Sequence, residues 1–235
     1  MLRRAILTLS VGIFFAPQSV AGQGECSKFS IPSEFAGCAS VMSTANRFFQ
    51  LLRASMKEKA REVALHELYK ERFARMRIAH TVVFKVHHRG VWEKVAGSVR
   101  EKIAHLGGQF ILKQIIYGRF GDAARSSNKV AVTIDRVEVR SRDIIVFSTV
   151  RGRKVVEVRW YLTKDHKVFN IYLSAPFPSY MLNTYTNHIA RLASSHDRFI
   201  LYKMKSKYPG EAVIKILKDL IKGDVELNPQ PNQFR

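Results

Sequence analysis

Between residues 129 and 174, apolar side chains recur at every second position through four consecutive segments. No other feature restricts the fold as much. The segments are "KVAVTIDRVEV" (129–139), "DIIVFSTV" (143–150), "KVVEVRWYL" (154–162) and "KVFNIYLS" (167–174), joined by "RSR", "RGR" and "TKDH". A period of two marks strands buried on one face. Links this short join only neighbouring strands of opposite direction, because a parallel crossover needs a dozen residues or more. The segments therefore predict a four-stranded antiparallel meander. In the third, Val156, Val158, Trp160 and Leu162 share one face, and Val155, Glu157, Arg159 and Tyr161 share the other. Val130, Val132 and Ile134 share a face of the first, Ile144 and Val146 of the second, and Phe169, Ile171 and Leu173 of the fourth.

The flanks follow a different rule. From about residue 41 to 120 the chain is rich in Leu, Ala, Arg, Lys and Glu, with apolar residues three and four apart, which predicts helices. Gly107 and Gly108 are expected to break or kink that run. Helices carrying Phe84, Trp92, Ile103, Phe110, Ile115, Ile116 and Tyr117 are expected to cover the sheet. After "APFP", the stretch from Ser179 reads as helical, and "GEAVIKILKDLIKG" (210–223) as a strongly amphipathic last helix. Helices, a meander and returning helices make an α+β chain. The expected organisation is a signal peptide over 1–21, an irregular Gly/Ser-rich lead-in over 22–40, one domain over 41–223 and a polar tail over 224–235.

The first residues bear on compartment. Arg3 and Arg4 precede the uncharged run "AILTLSVGIFFA", Pro17 ends it, and "SVA" (19–21) supplies the small residues of a cleavage site. This is the pattern of a secretory signal peptide, cut after Ala21. Export across a membrane permits disulfides, and Cys26 and Cys38 are the two candidates. With 39 Lys and Arg against 19 Asp and Glu, the formal charge is +20. Such a charge favours anionic partners, but export argues against nucleic acid, and the aromatic-plus-Arg stacking pattern is missing.

No phosphate-binding glycine loop, G-x-S-x-G or H-E-x-x-H motif occurs. The histidines are scattered, and the acidic residues mostly sit beside Lys or Arg. Nothing nominates a nucleophile, a base, a metal ligand set or a cofactor clamp. The expectation is a non-enzymatic protein with no metal and no cofactor.

Three stretches carry a resemblance. "RFARMRIAHTVVF" places Phe73 before Arg77-Ile78-Ala79 and Val82-Val83; "REKIAHLGGQFILKQIIYGRF" is a long helix reaching Tyr117; "KVVEVRWYLTKDHKVFNIYL" pairs a strand holding Trp160 with one opening on Lys167-Val168. In order and pattern the chain resembles the MlaC, or toluene-tolerance, family of periplasmic phospholipid-binding proteins, over about residues 42–222. It departs from the family at Asn170, where Asp is usual, at Phe84, which replaces a Gly, and at "SAPFPSYMLNTY" (174–185).

The resemblance implies a carrier that holds acyl chains in an apolar cavity between sheet and helices. It also implies shuttling of phospholipid between an inner-membrane ABC transporter complex and an outer-membrane lipoprotein complex. Combined with the alternation, it nominates Val132, Ile134, Val146, Val158, Trp160 and Leu162 as the sheet wall of that cavity. Phe110 and Tyr117 are the expected helical wall, and Tyr180 and Leu182 the expected mouth. The rival expectation is an exported basic chaperone or assembly factor with a solid core and no lipid cavity.

Overall fold

The computed structural model of the chain describes residues 23–87, 92–117, 130–152, 155–174, 179–180 and 209–222. The chain is α+β. Helices α1 (Gln23–Cys26), α2 (Pro32–Arg53), α3 (Glu58–Arg72), α4 (Arg75–His87) and α5 (Gly97–Tyr117) come first, with a 3₁₀ turn at Trp92–Lys94. Strands β1 (Ala131–Val139), β2 (Ile144–Arg151), β3 (Val155–Leu162) and β4 (Val168–Leu173) follow, then a short β5 (Ser179–Tyr180) and helix α6 (Pro209–Lys222). The strands lie in sequence order, each antiparallel to its neighbour.

The register keeps one apolar face. Val146 pairs with Trp160, and Trp160 with Ile171; Ser148 pairs with Val158, and Val158 with Leu173. Two bulges interrupt the alternation, at Asp135 in β1 and at Phe169 in β4. The second corrects an expectation. An extra residue shifts the side-chain phase, so Val168, not Phe169, joins Ile171 and Leu173 on the inner face. Phe169 instead lies tilted against Tyr161, under the Arg77 guanidinium at 3.4 Å.

Helix α2 begins well inside the segment expected to be irregular. Pro32 occupies its first turn, where proline's missing N–H costs nothing, and Glu34 favours the same end. A disulfide between Cys26 and Cys38 ties α1 to α2. Near Gly37 the α2 backbone comes down on β1 and β2: a methyl group there would sit 3.1 Å from Ile144 Cγ2. The first half of α2 therefore packs directly on that half of the sheet.

The run from 41 to 120 divides where no Gly or Pro marks it. Phe73 takes an extended conformation (φ −107°, ψ 146°) and forms a parallel bridge with Val168. The Ala74 N–H donates to the Val168 carbonyl at 2.8 Å. Pairing with β4 thus replaces helix continuation between α3 and α4. Conversely, α5 runs unbroken through Gly107 and Gly108. Ser179 and Tyr180 extend the sheet instead of starting a helix.

Two cores result. One joins α2, α3 and part of α5 to the sheet. The other lies among α4, α5 and α6, with Val83, Ile103, Phe110, Val213 and Leu217 at its centre. Trp92, Ile103 and Phe110, expected over the sheet, lie on the helical side, and Phe84 stacks with His80 on α4; α2 covers the strands instead. Side chains beyond Leu112 on α5, including Ile115 and Ile116, lie outside what is described.

Candidate apolar site

Where the second half of α2 lifts from the sheet, the gap over β2–β4 is not filled. Its floor is Val150, Val158, Trp160, Ile171 and Leu173. Its roof comes from three helices. Thr44, Phe48 and Phe49 project from α2, Leu65, Leu68 and Tyr69 from α3, and Ile111 and Leu112 from α5. Phe73, at the α3–α4 junction, closes one side. The void between atoms is about 700 Å³ including its open end, but it is narrow: only about 50 Å³ admits the centre of a water-sized sphere.

Helical spacing explains the roof. Leu65, Leu68 and Tyr69 are the buried residues of α3, at i, i+3 and i+4. Tyr69 lies flat on α5 because residue 108 is glycine: a Cβ there would stand 2.2 Å from Tyr69 Cε1. Phe73 packs 5.2 Å from the Tyr69 ring, and His66 stacks on it at 6.2 Å. His66 Nε2 lies 2.8 Å from His105 Nδ1, joining α3 to α5 behind the wall. Burial, reinforced by His105, lowers the His66 pKa to about 4, so His66 is neutral at pH 7.

The wall carries very little polarity. The Thr44 hydroxyl donates to the Ser40 carbonyl at 2.7 Å, one helical turn back. Burial raises the Tyr69 phenol above its ordinary range, and its hydroxyl has no hydrogen-bond partner among the described residues. On the floor, Trp160 Nε1–H donates to Ser148 Oγ at 2.9 Å, and Ser148 donates on to the Val158 carbonyl at 3.3 Å. Ser148 is buried and satisfies the one polar atom of the indole. This fixes the ring as a flat apolar surface. Replacing Ser148 by Ala leaves the indole N–H unpaired, and we expect a loss of about 1–2 kcal/mol by chemical denaturation. An unchanged midpoint would show that the indole finds another partner.

Of the residues expected to line the space, Val158 and Trp160 do. Val132, Ile134, Val146 and Leu162 pack in or against the sheet core but do not line the void; Val146 lies beside Gly37, under the first half of α2. Phe110 faces the helical core; at about 100° per residue, the next positions, Ile111 and Leu112, face the cavity instead. Tyr117 and Tyr180 end α5 and β5 with side chains outside what is described, and Leu182 lies outside the described residues. Sequence reasoning missed the α2 and α3 wall, although the Leu65–Leu68–Tyr69 stripe is visible. It also missed Ser148, a lone hydroxyl between inward-facing Val146 and Val150.

The outer face of the sheet is basic and aromatic. Arg136 lies 3.8 Å from the Phe147 ring, and Arg159 sits between Phe147 (5.5 Å) and Tyr172 (5.1 Å). Among the described residues no cluster of three or more His, Cys, Asp or Glu is placed to hold a metal. No described helix is long and apolar enough to cross a membrane.

The sequence matches no protein-family model and no curated protein. The structure is similar to that of a phospholipid-binding protein from Ralstonia solanacearum, solved in complex with a phospholipid. The TM-score is 0.54 at 14% identity, over 78% of this chain and 96% of that one. At this identity the likeness establishes a shared α+β fold.

Proposed function

We propose that the protein is a phospholipid carrier of the MlaC type. The observation that carries this reading is an apolar cavity between the sheet and three helices, in a fold shared with a protein solved with phospholipid bound. Each CH₂ withdrawn from water is worth about 0.8 kcal/mol, so sheltering one long acyl chain is worth on the order of 10 kcal/mol. A chain of about sixteen water-sized groups occupies on the order of 500 Å³. The enclosed part of the void is smaller than that, so the lining side chains of α2 and α3 must shift as a chain enters.

The wider reading extends this proposal and is supported by the signal-peptide pattern and the resemblance of the sequence. The protein works in the periplasm, takes phospholipid from one membrane complex and delivers it to another. An inner-membrane ABC transporter complex and an outer-membrane lipoprotein complex are its docking partners. It needs no cofactor and performs no reaction, since sheltering and releasing a lipid breaks no covalent bond. Its positive charge favours acidic docking surfaces.

The test is uptake of a fluorescent phospholipid by delipidated, refolded protein, compared with a Leu68→Trp variant. Leu68 lines the void, and an indole there fills it. The variant is expected to keep or raise its melting temperature while uptake falls more than about ten-fold. A wild-type protein that takes up no lipid, or a folded variant that takes it up undiminished, would sink the proposal.

A further inference from the structure

A second, open groove adjoins the cavity. Its empty volume, open side included, is about 800 Å³, and it is lined by Asn46, Phe49, Gln50, Arg53, Ala54 and Val130. Phe49 lines both spaces, so its ring is the partition between a dry interior and a wet vestibule. The vestibule differs sharply in chemistry from the cavity. Asn46, Gln50 and Arg53 are exposed and polar, and among the described residues no carboxylate lines the groove. Arg53 lies over the Phe49 ring, with its guanidinium 5.9 Å from the centroid. Arg47 Nη1 donates to Gln50 Oε1 at 2.9 Å, which leaves the amide nitrogen of Gln50 as a donor.

A second arginine stands behind the groove. Arg61 Nη2 donates to the Ala54 carbonyl at 3.1 Å, and its Nε–H is buried with no partner among the described residues. One effect opposes an anion here: the C-terminal end of α2 carries roughly half a negative charge. The Ala54 N–H and Arg61 Nη2 already engage carbonyls of that end. The full charges of Arg53 and Arg61 outweigh the remainder.

We infer that this vestibule seats the anionic phosphodiester of the lipid whose acyl chains occupy the cavity, with Phe49 as the gate between head group and chains. The inference rests on the carrier reading. An amphiphile needs a dry space and a cationic, hydrogen-bonding rim in contact, and the two spaces meet at one side chain. Arg53 supplies the charge, and Gln50 and Asn46 supply amide donors. Guanidinium groups suit phosphate oxygens because they present paired donors in one plane.

The experiment offers delipidated full-length protein an equal mixture of dioleoyl phosphatidylglycerol and dioleoylglycerol, which share chains and differ in the phosphodiester. Native mass spectrometry reads the ratio bound. Wild type is expected to prefer the phospholipid about ten-fold or more, Arg53→Glu to lose that preference, and Arg53→Lys to keep most of it. Micromolar inorganic phosphate is expected to leave the ratio unchanged, because the tethered head group has an effective concentration in the millimolar range. An Arg53→Glu ratio equal to wild type would overturn the seat and leave the carrier standing. Loss of the preference to free phosphate would mean an anion site independent of lipid, and overturns the seat likewise. Uptake of neither lipid overturns the carrier reading and the seat together.

Discussion

A Gly108→Val substitution is expected to lower the melting temperature by roughly 10 °C, about 3 kcal/mol at two to four degrees per kcal/mol for a chain of this size. Even a bare Cβ at this position would stand 2.2, 2.6 and 2.9 Å from three atoms of the Tyr69 ring. Phe73 on one side and His66 on another leave the buried ring one direction to move, into the void that it lines. It must swing there, filling part of the cavity, or push α3 away from α5. The second course breaks the His66–His105 contact. Combining Gly108→Val with Tyr69→Leu removes the aromatic edge that clashes, so the double variant should be more stable than the sum of the two single losses by about 1 kcal/mol or more. Thermal melts of the four proteins decide it; additive losses would mean that the clash is relieved elsewhere.

Removing the disulfide is the other large effect. Cys26 and Cys38 are fully buried and twelve residues apart. Closing a loop of that length restricts the unfolded chain by about 3 kcal/mol. The Cys26→Ala, Cys38→Ala pair is expected to lose that much, and a reducing agent should have the same effect on wild type and none on the variant. The bond holds α1 against the start of α2, where Lys28 Nζ donates to the Ile134 carbonyl. That end is remote from the cavity, which lies under the second half of α2. Lipid uptake by folded protein should therefore survive the loss. If reduction left the melting curve of wild type unchanged, the bond would not be formed in solution.

How much of this was legible in the sequence depends on whether a signal is local. The meander was legible because β-branched alternation and three- or four-residue links leave few alternatives. The bulge at Phe169 was not, since "VFNIYL" alternates whichever residue is extra. The break at Phe73 was hidden for a different reason. Its cause is a backbone partner, Val168, ninety-five residues away in sequence, and helix propensity knows nothing of it. Gly108 misled in the opposite sense: a residue that suggests a helix break instead makes room for a ring from another helix. The floor of the cavity was half legible, through Val158 and Trp160. The roof was not, because an amphipathic stripe such as Leu65–Leu68–Tyr69 is the same whether it meets protein or empty space.

Helix α5 is a party wall. One side, at Ile111 and Leu112, bounds the void; the other, at Ile103 and Phe110, is packed against α4 and α6. A close-packed core has little compressibility, so volume added on the lipid side cannot be absorbed behind α5. Nor can the floor yield, because it is stitched by a strand ladder. The compliant boundary is α3, whose outer surface is exposed, among the described residues, at positions such as Glu58, Lys59 and Val63. In mechanical terms the molecule is a clamp with two stiff jaws and one sprung plate. A filling cavity should announce itself by faster amide exchange along the outside of α3, while α5 and the strands stay still.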